Sequence, residues 1–177
     1  MSQYSMQVAQ SYGDRLPSFS SLEEAQRLLF AERDARLAEF KAIAAKSATV
    51  NADDSPASLK TMEAGYFQLI ESNGFASLGI SRLRFEDLMG TYFCQVAVTH
   101  GPNTIWQVKE FDFQKGRYEI GVKTGLASLM FNSFRDHFRT PRNVRRTAIH
   151  RMYQRRFVPQ PRPGQSTETT RAPRVSS

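Results

Sequence analysis

The run Thr104-Ile105-Trp106-Gln107-Val108-Lys109-Glu110-Phe111-Asp112-Phe113, the triplet Gln114-Lys115-Gly116 and the run Arg117-Tyr118-Glu119-Ile120-Gly121-Val122-Lys123 decide the fold class. Upstream of Gly101 the apolar residues recur at the 3.6-residue period of a helix; here they alternate. Trp106, Val108, Tyr118, Ile120 and Val122 fall on every second position, which is the period of a half-buried strand. Gln114-Lys115-Gly116 supplies a turn between the two runs, and Thr124-Gly125 ends the second. One antiparallel hairpin set among helices predicts an α+β fold, helices packed on a small antiparallel sheet.

Working back toward the N-terminus, Ser81 to His100 reads as a helix. Phe85, Leu88, Met89, Tyr92, Phe93, Val96 and Ala97 form a stripe two residues wide, which predicts burial on more than one side. Gly90, Cys94 and Ala97 are small enough to admit a close neighbour. Gly101-Pro102-Asn103 stops this helix. Before it, Leu59, Met62, Tyr66, Leu69 and Ile70 give another apolar face, started near Pro56 and ended by Asn73-Gly74. Residues 18–48 carry the clearest helix. Ser21-Leu22-Glu23-Glu24 has the form of a capping box. Leu22, Ala25, Leu29, Leu37, Phe40 and Ala44 follow at helical spacing, with Arg33 interrupting the stripe. Residues 1–17, polar and holding Gly13 and Pro17, read as a flexible lead-in.

Downstream, Leu126 to Phe138 reads as a fourth helix, with Leu126, Leu129, Met130, Phe134 and His137 or Phe138 inward. Thr140 and Pro141 then open a fifth, Arg-rich and amphipathic, over 139–157. Residues 158–177 hold four prolines and a Ser/Thr cluster and are expected to be disordered. The expected organisation is a lead-in (1–17), a globular α+β domain (18–138), the Arg-rich helix (139–157) and a tail (158–177).

The chain has 177 residues and a formal net charge of +7, and that charge is unevenly placed. Residues 1–134 hold 13 Lys and Arg against 15 Asp and Glu, a net −2. Residues 135–177 hold 11 Arg against two acids, a net +9. Within the fifth helix Val144, Ala148, Ile149, Met152 and Tyr153 form a narrow apolar stripe flanked by Arg142, Arg145, Arg146, Arg151, Arg155 and Arg156. A guanidinium is a planar fork of donors that suits carboxylate and phosphate, so these six are the candidate partner-binding residues. An acidic protein surface, nucleic acid and an anionic membrane surface all present the complementary charge.

The remaining chemistry-bearing residues point to no catalytic centre. His100, His137 and His150 lie far apart and have no partners at metal-ligand spacing. Cys94, the single cysteine, sits on an apolar helix face with no base near it in sequence and reads as buried and inert. No glycine-rich phosphate loop, Gly-x-Ser-x-Gly or Cys-x-x-Cys occurs. No catalytic residue, metal or cofactor is therefore assigned. Trp106, Phe111, Phe113 and Tyr118 serve either the core of the sheet or a binding face upon it. With one cysteine, no basic and apolar leader and no run of about 18 apolar residues, a cytoplasmic location is expected.

Leu88-Met89-Gly90-Thr91-Tyr92-Phe93-Cys94-Gln95-Val96, followed by Trp106, resembles a pattern of uncharacterised small bacterial α+β proteins, in which a helix with Gly-x-Tyr-x-Gly precedes a Trp-bearing strand. Cys94 stands where the second glycine would. The resemblance spans roughly residues 60–138 and implies a fold and a bacterial setting, without an established activity. Some such domains are similar to immunity proteins or to adaptors of secretion and toxin systems. The function expected is that of a non-enzymatic interaction protein, adaptor- or immunity-like, engaging an acidic partner protein through the Arg-rich C-terminal region. The alternative is nucleic-acid binding by the same arm. A third is an enzyme whose site is brought together only by the fold.

Overall fold

Ser21 adopts an extended backbone and its hydroxyl accepts a hydrogen bond from the Glu24 amide at 3.2 Å, which starts the helix that organises the N-terminal half of the chain. Glu24 reaches back one residue beyond the cap, accepting from the Ser20 amide at 2.9 Å and from its hydroxyl at 2.5 Å. A computed structural model of the chain describes residues 3–130 and 148–159. The elements are α1 (Gln3–Gly13), α2 (Leu22–Ala44), α3 (Ser58–Ser72), a 3-10 turn (Ala76–Leu78), α4 (Arg82–His100), β1 (Thr104–Glu110), β2 (Tyr118–Thr124), β3 (Ala127–Met130) and α5 (Ala148–Phe157). This is the α+β fold the alternating hairpin predicts.

The sheet is antiparallel throughout, in the order β1-β2-β3. Trp106 pairs with Val122, Val108 with Ile120 and Glu110 with Tyr118, so these six share the face turned toward the helices. Gly116 closes the β1–β2 connection at a φ of +76°, a conformation that favours glycine. Gly121 pairs with Met130. A Cβ on Gly121 would lie 2.2 Å from the Leu129 carbonyl oxygen and 2.6 Å from Met130 Cα, so only glycine lets β3 close on β2 here.

α4 is the central helix. Phe85, Leu88, Met89, Tyr92, Phe93, Val96 and Ala97 are all fully buried, as the wide stripe requires. It packs against α2, α5 and the sheet. Around it a large apolar cluster joins Phe40, Ile43 and Ala44 of α2, Leu59, Met62 and Tyr66 of α3, and Ile149, Tyr153 and Phe157 of α5. A second, smaller cluster lies at the other end of α2, where Ala25 and Leu29 meet Val108 and Tyr118.

Three expectations need correction. The segment read as a loose lead-in is helical over Gln3–Gly13, and it packs on the hairpin: the Tyr12 ring lies 5.1 Å from Phe111, and Leu16 is buried. The run read as the start of a fourth helix is a strand over Ala127–Met130. Leu126, expected inward, is fully exposed beside Gly125, whose φ is +57°. The remainder of that expected helix, from residue 131 to Phe138, lies outside the described residues. Finally, α5 shares the main core, so a domain boundary at residue 138 would cut through that core.

Candidate functional site

Two polar surfaces stand out. The first is α5. Ile149, Tyr153 and Phe157 recur every four residues and are at most 3% exposed, so one side of the helix is fixed against α3 and α4. The Tyr153 and Phe157 rings meet Phe93 of α4 at 6.5 and 5.9 Å. A buried carboxylate holds the start of the helix. Glu63 of α3, 2% exposed, accepts the Ile149 amide at 3.3 Å, with the Ala148 and His150 amides as further donors. Burial pushes its carboxyl above the ordinary range, and these amides and the Arg151 charge partly offset the shift.

With that side fixed, Arg151, Arg155 and Arg156 point into solvent. None of the three forms an ion pair among the described residues. Arg142, Arg145 and Arg146 lie outside the described residues, as do His137, the expected helix before Ala148 and the expected tail from residue 160 onward. Of the other singled-out residues, Cys94 is buried, and burial raises its thiol to about 12. His100 sits at the C-terminus of α4 and contacts the Asp54 carbonyl oxygen at 2.8 Å. His150 lies on α5, where burial and the Lys60 charge lower its pKa.

The second surface is a cleft of about 360 Å³ between α2 and the sheet, and sequence reading finds only its traces. Continuing the α2 stripe from Leu29 by three, four and seven residues gives Glu32, Arg33 and Arg36, positions where a core-facing helix would place apolar residues. All three line the cleft, opposite Trp106, Tyr118 and Ile120. Arg33 bonds Asp34 at 2.8 Å while its guanidinium lies over the rings of Phe30 (4.8 Å) and Trp106 (5.3 Å). Arg36 pairs with Glu32 one turn back. Trp106 donates its indole N–H to Gln95 Oε1 at 3.2 Å, which fixes the ring.

Tyr12 of α1 and Arg15, Leu16 and Pro17 after it also line the cleft. Tyr12 donates to Glu119 Oε2 at 2.9 Å, and Lys109 Nζ lies 3.4 Å from Glu119 Oε1. The Arg15 guanidinium rests 5.8 Å from the Tyr12 ring centre. Arg117 ties down the backbone here by donating to the Leu16 carbonyl at 2.7 Å. The arrangement offers cations, one buried carboxylate and aromatic walls in one enclosed place. Two signals for it exist in the sequence: Arg33 breaking an apolar stripe, and Trp106 on the hairpin. The fold brings them together, along with Tyr12 and Arg15 from a segment that carries no motif.

Among the described residues, no helix is long and apolar enough to cross a membrane, and no three His, Cys, Asp or Glu side chains gather to hold a metal ion. No curated protein and no solved structure matches the chain. The model of the family described as Uncharacterised protein YwmA matches residues 18–157, a span that takes in α2 through α5, and the chain belongs to that family.

Proposed function

We propose that this is a non-enzymatic interaction protein, adaptor- or immunity-like, that engages an acidic partner protein through its Arg-rich C-terminal region. The observation that carries the reading is the anchoring of α5. Ile149, Tyr153 and Phe157 lock the helix by one side, so Arg151, Arg155 and Arg156 are presented on a rigid support rather than on a free arm. Rigid presentation lowers the ordering cost of binding, and three like charges held together gain by meeting carboxylates. Three guanidiniums on one ten-residue helix make a compact patch, which matches a cluster of carboxylates on a folded protein surface.

Deleting the C-terminal region is the wrong test, because it would also remove three core side chains. Charge reversal on the solvent side is the right one. The full chain and its Arg151→Glu/Arg155→Glu/Arg156→Glu variant should have the same circular dichroism and melting behaviour. Only the unaltered chain should retain an acidic protein stoichiometrically in affinity capture from native lysate. Capture of the same protein by both would end this reading. Binding of generic labelled RNA and DNA, falling steeply with salt and lost in the variant, would assign the arginines to nucleic acid instead.

A further inference from the structure

The cleft beneath α2 is unrelated to the partner-binding reading, and its chemistry suggests a ligand of its own. Charged side chains at core-facing helix positions are costly unless something uses them. Here Arg33 and Arg36, with the half-exposed Glu32 beside them, occupy three such positions in succession, between Leu29 and Leu37, and divide the apolar core into its two clusters. The side chains of Arg33 and Arg36 are 21% and 18% exposed, so both are largely enclosed, and both line the cleft. At about 360 Å³ that volume falls at the small end of ligand pockets.

The charges in the lining narrow the choice of ligand. Arg33 is paired with Asp34, Arg36 with Glu32 and Glu119 with Lys109, so Arg15 leaves the lining with one positive charge. A single negative charge balances that lining, whereas a phosphate with two charges would meet the two glutamates unfavourably. The walls are aromatic and aliphatic: Trp106, Tyr118, Tyr12, Leu29 and Ile120. A flat apolar group therefore suits the interior, and a planar carboxylate suits the guanidinium forks. We propose that the cleft binds a small aromatic monocarboxylate, its carboxylate on Arg33 and Arg36 and its ring against Trp106 and Ile120.

The chain contains one tryptophan, and it stands in the wall of this cleft, so its emission reports on occupancy. The full-length protein is titrated with phenylacetate, with the neutral isostere phenylacetamide and with inorganic phosphate, and calorimetry gives the affinity independently. Phenylacetate should produce a saturable change in Trp106 emission. Phenylacetamide and phosphate should bind at least about tenfold more weakly, the scale of one lost charge-assisted hydrogen bond. Arg33→Gln and Arg36→Gln, with folding checked by circular dichroism, should each weaken phenylacetate by a similar factor. Lys46→Gln, at an exposed position just past α2 and outside the cleft, should change nothing. No saturation with phenylacetate overturns the proposal, as does equal affinity for phenylacetamide or undiminished binding by the folded Arg33→Gln and Arg36→Gln variants. The phenylacetate and phenylacetamide comparison needs only the unaltered chain, so it decides even if a variant fails to fold.

Discussion

The two ends of α2 do the same job with different success. Its C-terminal half sets Phe40, Ile43 and Ala44 into a core closed on all sides by α3, α4 and α5. Its N-terminal half sets only Ala25 and Leu29 against the sheet, and then the stripe turns polar. The same helix thus seals one interface and leaves the other open as a cleft. Helical periodicity marks which side of a helix faces inward; the side chains on that side decide whether the inside is packed or left available. An enclosed charge where the pattern calls for leucine is a stronger lead to a site than an exposed one.

Large-to-small substitutions should separate the two halves of α2 most clearly. Phe40 is fully buried, with its ring 4.7 Å from Tyr92 and 5.9 Å from Phe85. Neighbours packed this closely on every side cannot relax into a void, so Phe40→Ala should cost about 3–5 kcal/mol in denaturant unfolding. Leu29 is also buried, at 5% exposure, but it borders the cleft. Its truncation enlarges a space already open to solvent instead of creating a sealed hole. Leu29→Ala should therefore cost about 2 kcal/mol, the low end for such a change. Equal costs at the two sites would mean that the N-terminal half of α2 is packed as tightly as the C-terminal half.

Much of the sealed half was legible in the sequence, and the open half less so. The wide stripe of α4, the alternation of β1 and β2 and the cap at Ser21 are local patterns with strong physical causes, and each stands where it was expected. Asn73, expected to end α3, does so in the left-handed conformation at a φ of 53°. β3 was not legible. Four residues are too few to show alternation, and Leu126, Leu129 and Met130 happen to fall at helical spacing; pairing with β2 overrides that local pattern. α1 escapes a local reading because its stripe is sparse (Tyr4, Val8 and Tyr12 among polar residues), and its hold on the fold runs through long-range contacts of Tyr12 with Phe111 and Glu119. The cleft inherits both difficulties. Arg33 was visible as an interruption and Trp106 as an ambiguous aromatic, but nothing local links residues 12, 33 and 106.

A smaller effect is expected on the sealed side, which contains a charge of its own. Glu63 lies in the packed region at 2% exposure, and the first amides of α5 end on its carboxylate. The first amides of a helix have no partner within it, and a carboxylate placed on them supplies what a helix start lacks. Glu63→Gln keeps the shape and one acceptor oxygen but adds a buried N–H donor, and it should destabilise the protein by about 1–2 kcal/mol. The sign of the pH dependence follows from burial, which raises the carboxyl of the folded protein above its ordinary value of 4.5. Between that value and the raised one, the folded state holds a proton that the unfolded state has released. Stability from this group is therefore fully present below about pH 4.5 and is lost as pH rises through the folded pKa. Glutamine does not titrate. The advantage of the unaltered chain over Glu63→Gln should accordingly be largest in acid and shrink toward neutral pH, read from urea midpoints of the two proteins across that range. An advantage that instead grew with pH would mean that the amides of Ala148, Ile149 and His150 outweigh burial, and that the anchor of the basic helix is a fully charged cap.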